Sequence, residues 1–156
     1  MSLLTPKIKN LVGQEKTYVA PEPMGTAAGR YFAQAVGDTN PKYADLEITP
    51  LTLICETNQY ANLPMNSDGY AGHLWELEIA NTRLLRGGNS YQFFQYVHST
   101  DVITAIWRID EISERTNSKG LAMVTMISTA RYLNQKQELL ATNTETLIWL
   151  ELANIL

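Results

Sequence analysis

The chain has 156 residues, 45% of them hydrophobic and 18% charged, and a formal net charge of -4. That length allows one domain with a real core, and the scattered Lys and Arg residues form no basic stripe that would neutralise nucleic-acid phosphates. Cys55 is the single cysteine, which excludes an intrachain disulfide, and no apolar run approaches the ~20 residues of a membrane span.

A lone cysteine suits a reducing compartment. Residues Met1 to Lys7 lack the charged-then-apolar pattern of a leader. A cytosolic protein with one domain over residues 1–156 is therefore expected. Lys16 to Ala20 reads as a short extended segment closed by Pro21 and Pro23. A helix follows over Thr26 to Val36, where Ala28, Tyr31, Phe32 and Ala35 recur at helical spacing. Gly37 falls where a helix C-terminal glycine belongs. Asp38-Thr39-Asn40-Pro41 is a turn: Asp and Asn bond their own backbone, and Pro41 disfavours helix at Asn40.

A second helix is expected from Pro50 to about Ala61, ending before Pro64. Thr49 can cap it, and Pro50 suits the first helical position. Leu51, Leu53, Ile54 and Cys55 make its first turn apolar nearly all round, which predicts burial. Asn62 to Gly72 is loop-like. His73 to Leu85 fits either element: Trp75, Leu77 and Ile79 alternate, whereas Leu74, Leu77 and Leu84 suit a helix. Arg86-Gly87-Gly88 reads as a break.

Strand signals then come in series. Tyr91 to Val97 alternates, and Ile103, Ala105, Trp107 and Ile109 share one face at period two. Asn117 to Gly120 turns, Leu121 to Leu133 is a long strand, and Asn134 to Gln137 turns again. Leu139 to Leu150 returns, with Thr142, Thr144 and Thr146 opposite Leu139, Ala141, Leu147 and Trp149. The set predicts an α+β fold in which a curved antiparallel sheet wraps one apolar helix.

Three segments resemble the MaoC-like dehydratases of hot-dog fold, and in particular their N-terminal-type, FAS1-like dehydratase domain. Arg30 to Asp45 resembles the family's "helix, Gly-Asp, x, Asn-Pro, x, Tyr/His, x, Asp" element. Thr49-Pro50-Leu51-Thr52 is similar to its Pro-rich entry into the central helix. Leu85-Arg86-Gly87-Gly88 through Tyr91 and Ser99-Thr100-Asp101-Val102 to the Thr-rich last strand looks like its "His-Gly-Gly, aromatic strand, Gly-Asp-Val" stretch. The resemblance covers most of residues 8–150, and His73 to Leu85 reads as an insertion.

The resemblance implies hydration or dehydration of enoyl and 3-hydroxyacyl thioesters, with coenzyme A or acyl carrier protein only as carrier and no other cofactor. In active members an Asp and a His activate one water, and amides at the central helix N-terminus polarise the carbonyl. Such amides stabilise charge where it develops, and the acid/base pair adds about 10²–10⁴-fold. Carried over, Asp38 and Asn40 match and Tyr43 stands at the His position. The carbonyl and substrate contacts fall on Pro50, Leu51, Thr52, Arg86 and Gly87, with Arg86 where many relatives have the His of His-Gly-Gly. A phenol with an ordinary pKa near 10 activates water poorly at neutral pH. The implied role is thus the substrate-holding half of a dehydratase or hydratase. Its partner is a second copy or a His-bearing subunit, joined edge to edge as in hot-dog dimers.

Bland readings stand beside these. Asp38 and Asn40 suit a backbone-satisfying turn, Tyr43 a packed tyrosine and Arg86 a solvated side chain or a coenzyme-phosphate contact. His73 and His98 are expected at the surface, Cys55 as a core thiol, and Trp75, Trp107 and Trp149 in the core. Two other functions are weighed: a non-catalytic acyl-thioester-binding module, and a thioesterase with Glu56 as the helix carboxylate.

Overall fold

The computed structural model describes residues 2–43, 47–55, 58–67 and 69–153. Five strands form one antiparallel sheet: β1 (Glu15–Val19), β3 (Thr82–Phe93), β5 (Thr104–Thr116), β6 (Ala122–Leu133) and β7 (Leu139–Glu151). Their spatial order is β1-β5-β6-β7-β3. Two short strands, β2 (Ile48–Thr49) and β4 (Val97–His98), pair separately. Helix α1 (Pro6–Lys9) opens the chain, and α2 (Thr26–Ala35) follows β1. This is the hot-dog architecture: a large antiparallel sheet curved over a mostly irregular segment.

Period-two alternation builds the core. Ala105, Trp107 and Ile109 on β5, Val124, Met126, Ala130 and Tyr132 on β6, and Ala141, Leu147 and Trp149 on β7 are all buried. The register between β5 and β6 shifts between Ile109 and Glu111. Past that bulge the inward phase moves by one residue, and Ile112 packs on the core in its place.

Four expectations are corrected. The Pro50–Ala61 helix is not one α-helix: Leu51–Cys55 and Asn58–Tyr60 are short 3-10 segments, with residues 56 and 57 outside the described set. The stretch includes Thr52, Ile54, Thr57 and Asn58, types that lose rotamer freedom in a helix or bond their own backbone instead. The segment is still buried through Leu53 and Ile54. Arg86-Gly87-Gly88 is not a break but a bulge inside β3, where the register on β7 shifts between Arg86 and Gly88. Gly87 is required there, because a Cβ would stand 2.9 Å from Thr146 Cγ2 and 3.1 Å from its carbonyl oxygen.

Tyr91 to Val97 is not one strand: β3 ends at Phe93, and Val97–His98 joins β2. Helix α2 buries Gly29 and Ala33 rather than the Ala28–Tyr31–Ala35 stripe, and Tyr31 is exposed. The cause is close packing, since a Cβ on Gly29 would lie 3.1 Å from Thr49 Cγ2. The side with the smallest residues faces β2. His73 to Leu85 divides into an irregular stretch to Ala80 and the start of β3.

Candidate functional site

The Asp38–Tyr43 element is a chain of side chain-to-backbone bonds. Gly37 takes φ +69° at the end of α2, and Asp38 N–H donates back to the Ala33 carbonyl at 2.8 Å. Asn40 N–H donates to Asp38 Oδ1 at 3.0 Å, and Lys42 N–H donates to Asn40 Oδ1 at 3.1 Å. These bonds roll Pro41–Tyr43 into a 3-10 turn. Asp38 and Asn40 are exposed and Tyr43 is half-buried. The Tyr43 phenol is pushed above its ordinary range, first by partial burial and then by the Asp38 carboxylate. Lys42 Nζ donates to Tyr96 Oη at 2.8 Å and stands 5.2 Å from that ring's centre. The structure therefore brings Asp38, Asn40 and Tyr43 together, with Lys42 and Tyr96 as neighbours. Asp45, the last residue of the motif, lies outside the described residues.

Strand β2 packs on α2 and on this turn, so Pro50, Leu51 and Thr52 follow on the same side. Pro50 is buried, Leu51 half-buried and Thr52 exposed. The five-residue 3-10 segment they open is not the long helix expected, and its first amides do not sum to a helix-end site. Leu53 N–H donates to the Pro50 carbonyl at 3.0 Å. Glu56 lies outside the described residues.

Arg86 and Gly87 do not join this group. Arg86 Nη1 meets Glu145 Oε1 at 2.8 Å, and Arg86 lines a cavity of about 90 Å³ that none of the described residues between 38 and 52 touches. The inner wall is the concave face of the sheet, with Tyr132, Asn143 and Glu145. The outer wall comes from the irregular segment through Tyr60, Tyr70 and His73. His73 is thus corrected from a surface residue to a buried one. It stacks on Trp107 with ring centres 4.3 Å apart, and its Nδ1 shares a 3.0 Å hydrogen bond with Tyr18 Oη. Burial, helped by Lys16, lowers its pKa to about 3, so it is neutral at pH 7.

Tyr60 Oη accepts a 2.8 Å bond from Trp107 Nε1, and burial pushes its phenol up to about 12. Burial raises Tyr132 further still. Glu145 is raised by burial against the opposing pull of Arg86. His98 is exposed as expected, Cys55 is half-buried at the cavity wall, and all three tryptophans are buried. Among the described residues no group of three His, Cys, Asp or Glu is placed to hold a metal, and no helix is long and apolar enough to cross a membrane.

Asn143 and Glu145 went unread in the sequence, yet a signal was present. Both occupy the inward phase of β7 that Ala141, Leu147 and Trp149 define. A polar residue in an apolar phase marks a polar site inside the fold.

A family model described as "FAS1-like, dehydratase domain region" matches residues 10–143. No curated protein sequence matches the chain. Among solved structures it is similar to the ChsH1-ChsH2 complex from Mycobacterium tuberculosis at 11% identity, covering 96% of this chain and 94% of that one, with TM-score 0.66. It is similar to the HadBC (3R-hydroxyacyl-ACP dehydratase) complex of the same organism at 21% identity, covering 88% and 96%, TM-score 0.58. A MaoC-like dehydratase from Rhodospirillum rubrum aligns at 14% identity over 91% and 94%, TM-score 0.56. Identities this low establish the shared fold alone.

Proposed function

The chain belongs to the FAS1-like dehydratase domain family, and from that premise we propose that it is the substrate-binding half of an acyl-thioester dehydratase or hydratase. Its substrates would be enoyl and 3-hydroxyacyl groups carried on coenzyme A or acyl carrier protein. The observation that carries this reading is the Asp38–Asn40–Tyr43 turn. It holds the family's carboxylate and amide in an ordered, solvent-facing arrangement, with a phenol where active members have histidine. Burial and Asp38 keep that phenol protonated at neutral pH, so it makes a hydrogen-bond donor and not a base. The water-activating base would come from a His-bearing partner.

Strand β3 supports such a partner. It is one of the two edges of the sheet, twelve residues long and exposed along nearly all of its length. Leu84 and Leu85 stand open at 51% and 37% exposure. A long edge strand is a pairing surface unless it is covered.

The test is hydration of crotonyl-coenzyme A by the chain alone, by a His-bearing MaoC-like subunit alone, and by their mixture. Turnover that appears only in the mixture and falls with Asp38→Asn supports the reading. A rate indifferent to this chain sinks it. The second reading, a binding module without chemistry, has support in the Arg86–Glu145 pair, which commits the cation at the His-Gly-Gly position to a neighbour. Binding of the ester without turnover in any mixture would favour that reading.

A further inference from the structure

The cavity between the sheet and Tyr60, Tyr70 and His73 holds the Arg86–Glu145 pair but none of Asp38, Asn40 and Tyr43. It is polar by construction. Asn143 is 3% exposed and His73 6%. Asn143 lines the cavity, and its Nδ2 donates to Asn89 Oδ1 at 3.1 Å, which leaves its own Oδ1 as the other polar atom of the amide. That oxygen and His73 Nε2 are buried and bond to no described residue. Buried polar atoms seldom stay unpaired, because each gives up its hydrogen bonds to water with nothing in return.

The arrangement of these atoms defines a ligand. Asn143 and Glu145 are two residues apart on β7, so they point to the same face. One carboxylate oxygen of Glu145 is held by Arg86, and the other bonds to no described residue. The site thus presents two adjacent acceptors, and His73, whose buried Nε2 bonds to no described residue, lines the same cavity. Glu145 disfavours anions, and Arg86 offsets its charge against cations. Aromatic rings of Tyr60, Trp107 and Tyr132 close the remaining sides. A volume of about 90 Å³ admits a few heavy atoms.

We propose that this cavity is a binding site for a compact, neutral, hydroxylated group, a vicinal diol or short hydroxyalkyl end, held by Asn143, Glu145 and His73. Two hydroxyls would donate to Asn143 Oδ1 and to the outer Glu145 oxygen, and one would bond His73 Nε2. The rings would take the carbon side of the group. Arg86 and Tyr70, 39% exposed, form the outer rim past which the group enters. The site does not depend on thioester chemistry at Asp38.

The test is titration of the isotope-labelled chain with propane-1,2-diol, with butyrate as the anionic control, followed by NMR at the Asn143 side-chain amide and the His73 ring. The expected result is saturable shifts with the diol and none with butyrate. Glu145→Gln keeps the shape but replaces one acceptor with a donor, and should weaken diol binding about tenfold or more. Asn143→Leu should abolish it. Shifts that never saturate, equal shifts with butyrate, or unchanged binding in a folded Glu145→Gln variant would overturn the site. The diol-against-butyrate comparison on the unaltered chain decides it even if neither variant folds.

Discussion

Strands β5, β6 and β7 hold one another by long antiparallel ladders, each with one register shift, and by alternating burial. The irregular stretch between Ala20 and Ala80 is held by the packing of Leu53, Ile54, Tyr60 and Trp75 on the core and by a few side-chain bonds to β1 and β5. Lys16 Nζ donates to the Leu74 carbonyl at 3.1 Å, Tyr18 bonds His73, and Trp107 bonds Tyr60. In the sheet the loss of one side chain removes volume from a shared core. In the irregular segment it removes an anchor, and the chemistry between the two regions loses a wall. The largest effect should therefore come from the sheet. Trp149 on β7 is 3% exposed. Trp149→Ala should cost about 3–5 kcal/mol and lower Tm by roughly 2–4 °C per kcal/mol, measured by thermal and denaturant unfolding. A cost under about 1 kcal/mol would mean that the sheet does not carry the core.

The contrast also explains what the sequence made legible. The alternation of Ile103 to Ile109 and Leu139 to Leu150 is set by local sterics and one buried face, so strands, turns and the inward phase were readable. The Pro50–Ala61 stretch has an apolar content that suits burial and a Thr/Asn content that resists helix, and tertiary packing decided between them. His73 carried no local mark of burial, because its partners Tyr18 and Trp107 are distant in the chain. The motif turn was readable from Asp38, Asn40 and Pro41 alone, since its bonds span two residues.

His73 offers the next test, of the anchor between the regions. Its folded pKa of about 3 lies below the ordinary value near 6.5. Between those values the unfolded chain binds the proton that the folded chain refuses. Stability is then full above about pH 6.5 and falls by about 1.4 kcal/mol per pH unit on acidification. From pH 7 to pH 4 the loss from this group is roughly 3 kcal/mol. Glu145, raised in the fold, acts with the opposite sign, so the comparison must be made against a variant. His73→Phe should flatten the acid limb of a denaturant-midpoint-against-pH curve, and should cost about 1 kcal/mol at pH 7 for the lost bond to Tyr18. Equal acid limbs in both proteins would place His73 in water.

Arg86 tests the rim. It is 56% exposed in its side chain, whereas Glu145 is 9% exposed. Arg86→Met strands a buried carboxylate, at a cost of about 1–3 kcal/mol once screening of the exposed partner is allowed for. The stranded group titrates higher, so the penalty should be largest at neutral pH and shrink as pH falls and the carboxyl takes up a proton. Arg86→Met with Glu145→Gln should recover most of the loss. Unfolding midpoints at pH 7 and pH 5 check both expectations. A penalty that grows on acidification would contradict the pairing.

The smallest effect on stability should fall at the motif. Asp38 is exposed, and its carboxylate accepts one bond, from Asn40 N–H. Asp38→Ala should therefore cost no more than about 1 kcal/mol. Asp38→Asn keeps an acceptor at the same place and should cost less. Stability and turnover separate here as they do nowhere in the sheet. If the turn only satisfies backbone, both variants leave hydration in the two-subunit mixture unchanged. If Asp38 shares the proton with a partner's histidine, both variants lower hydration by about 10²–10⁴-fold while the unfolding midpoint barely moves. Measured on one preparation, the two numbers tell whether this ordered turn is scaffold or chemistry.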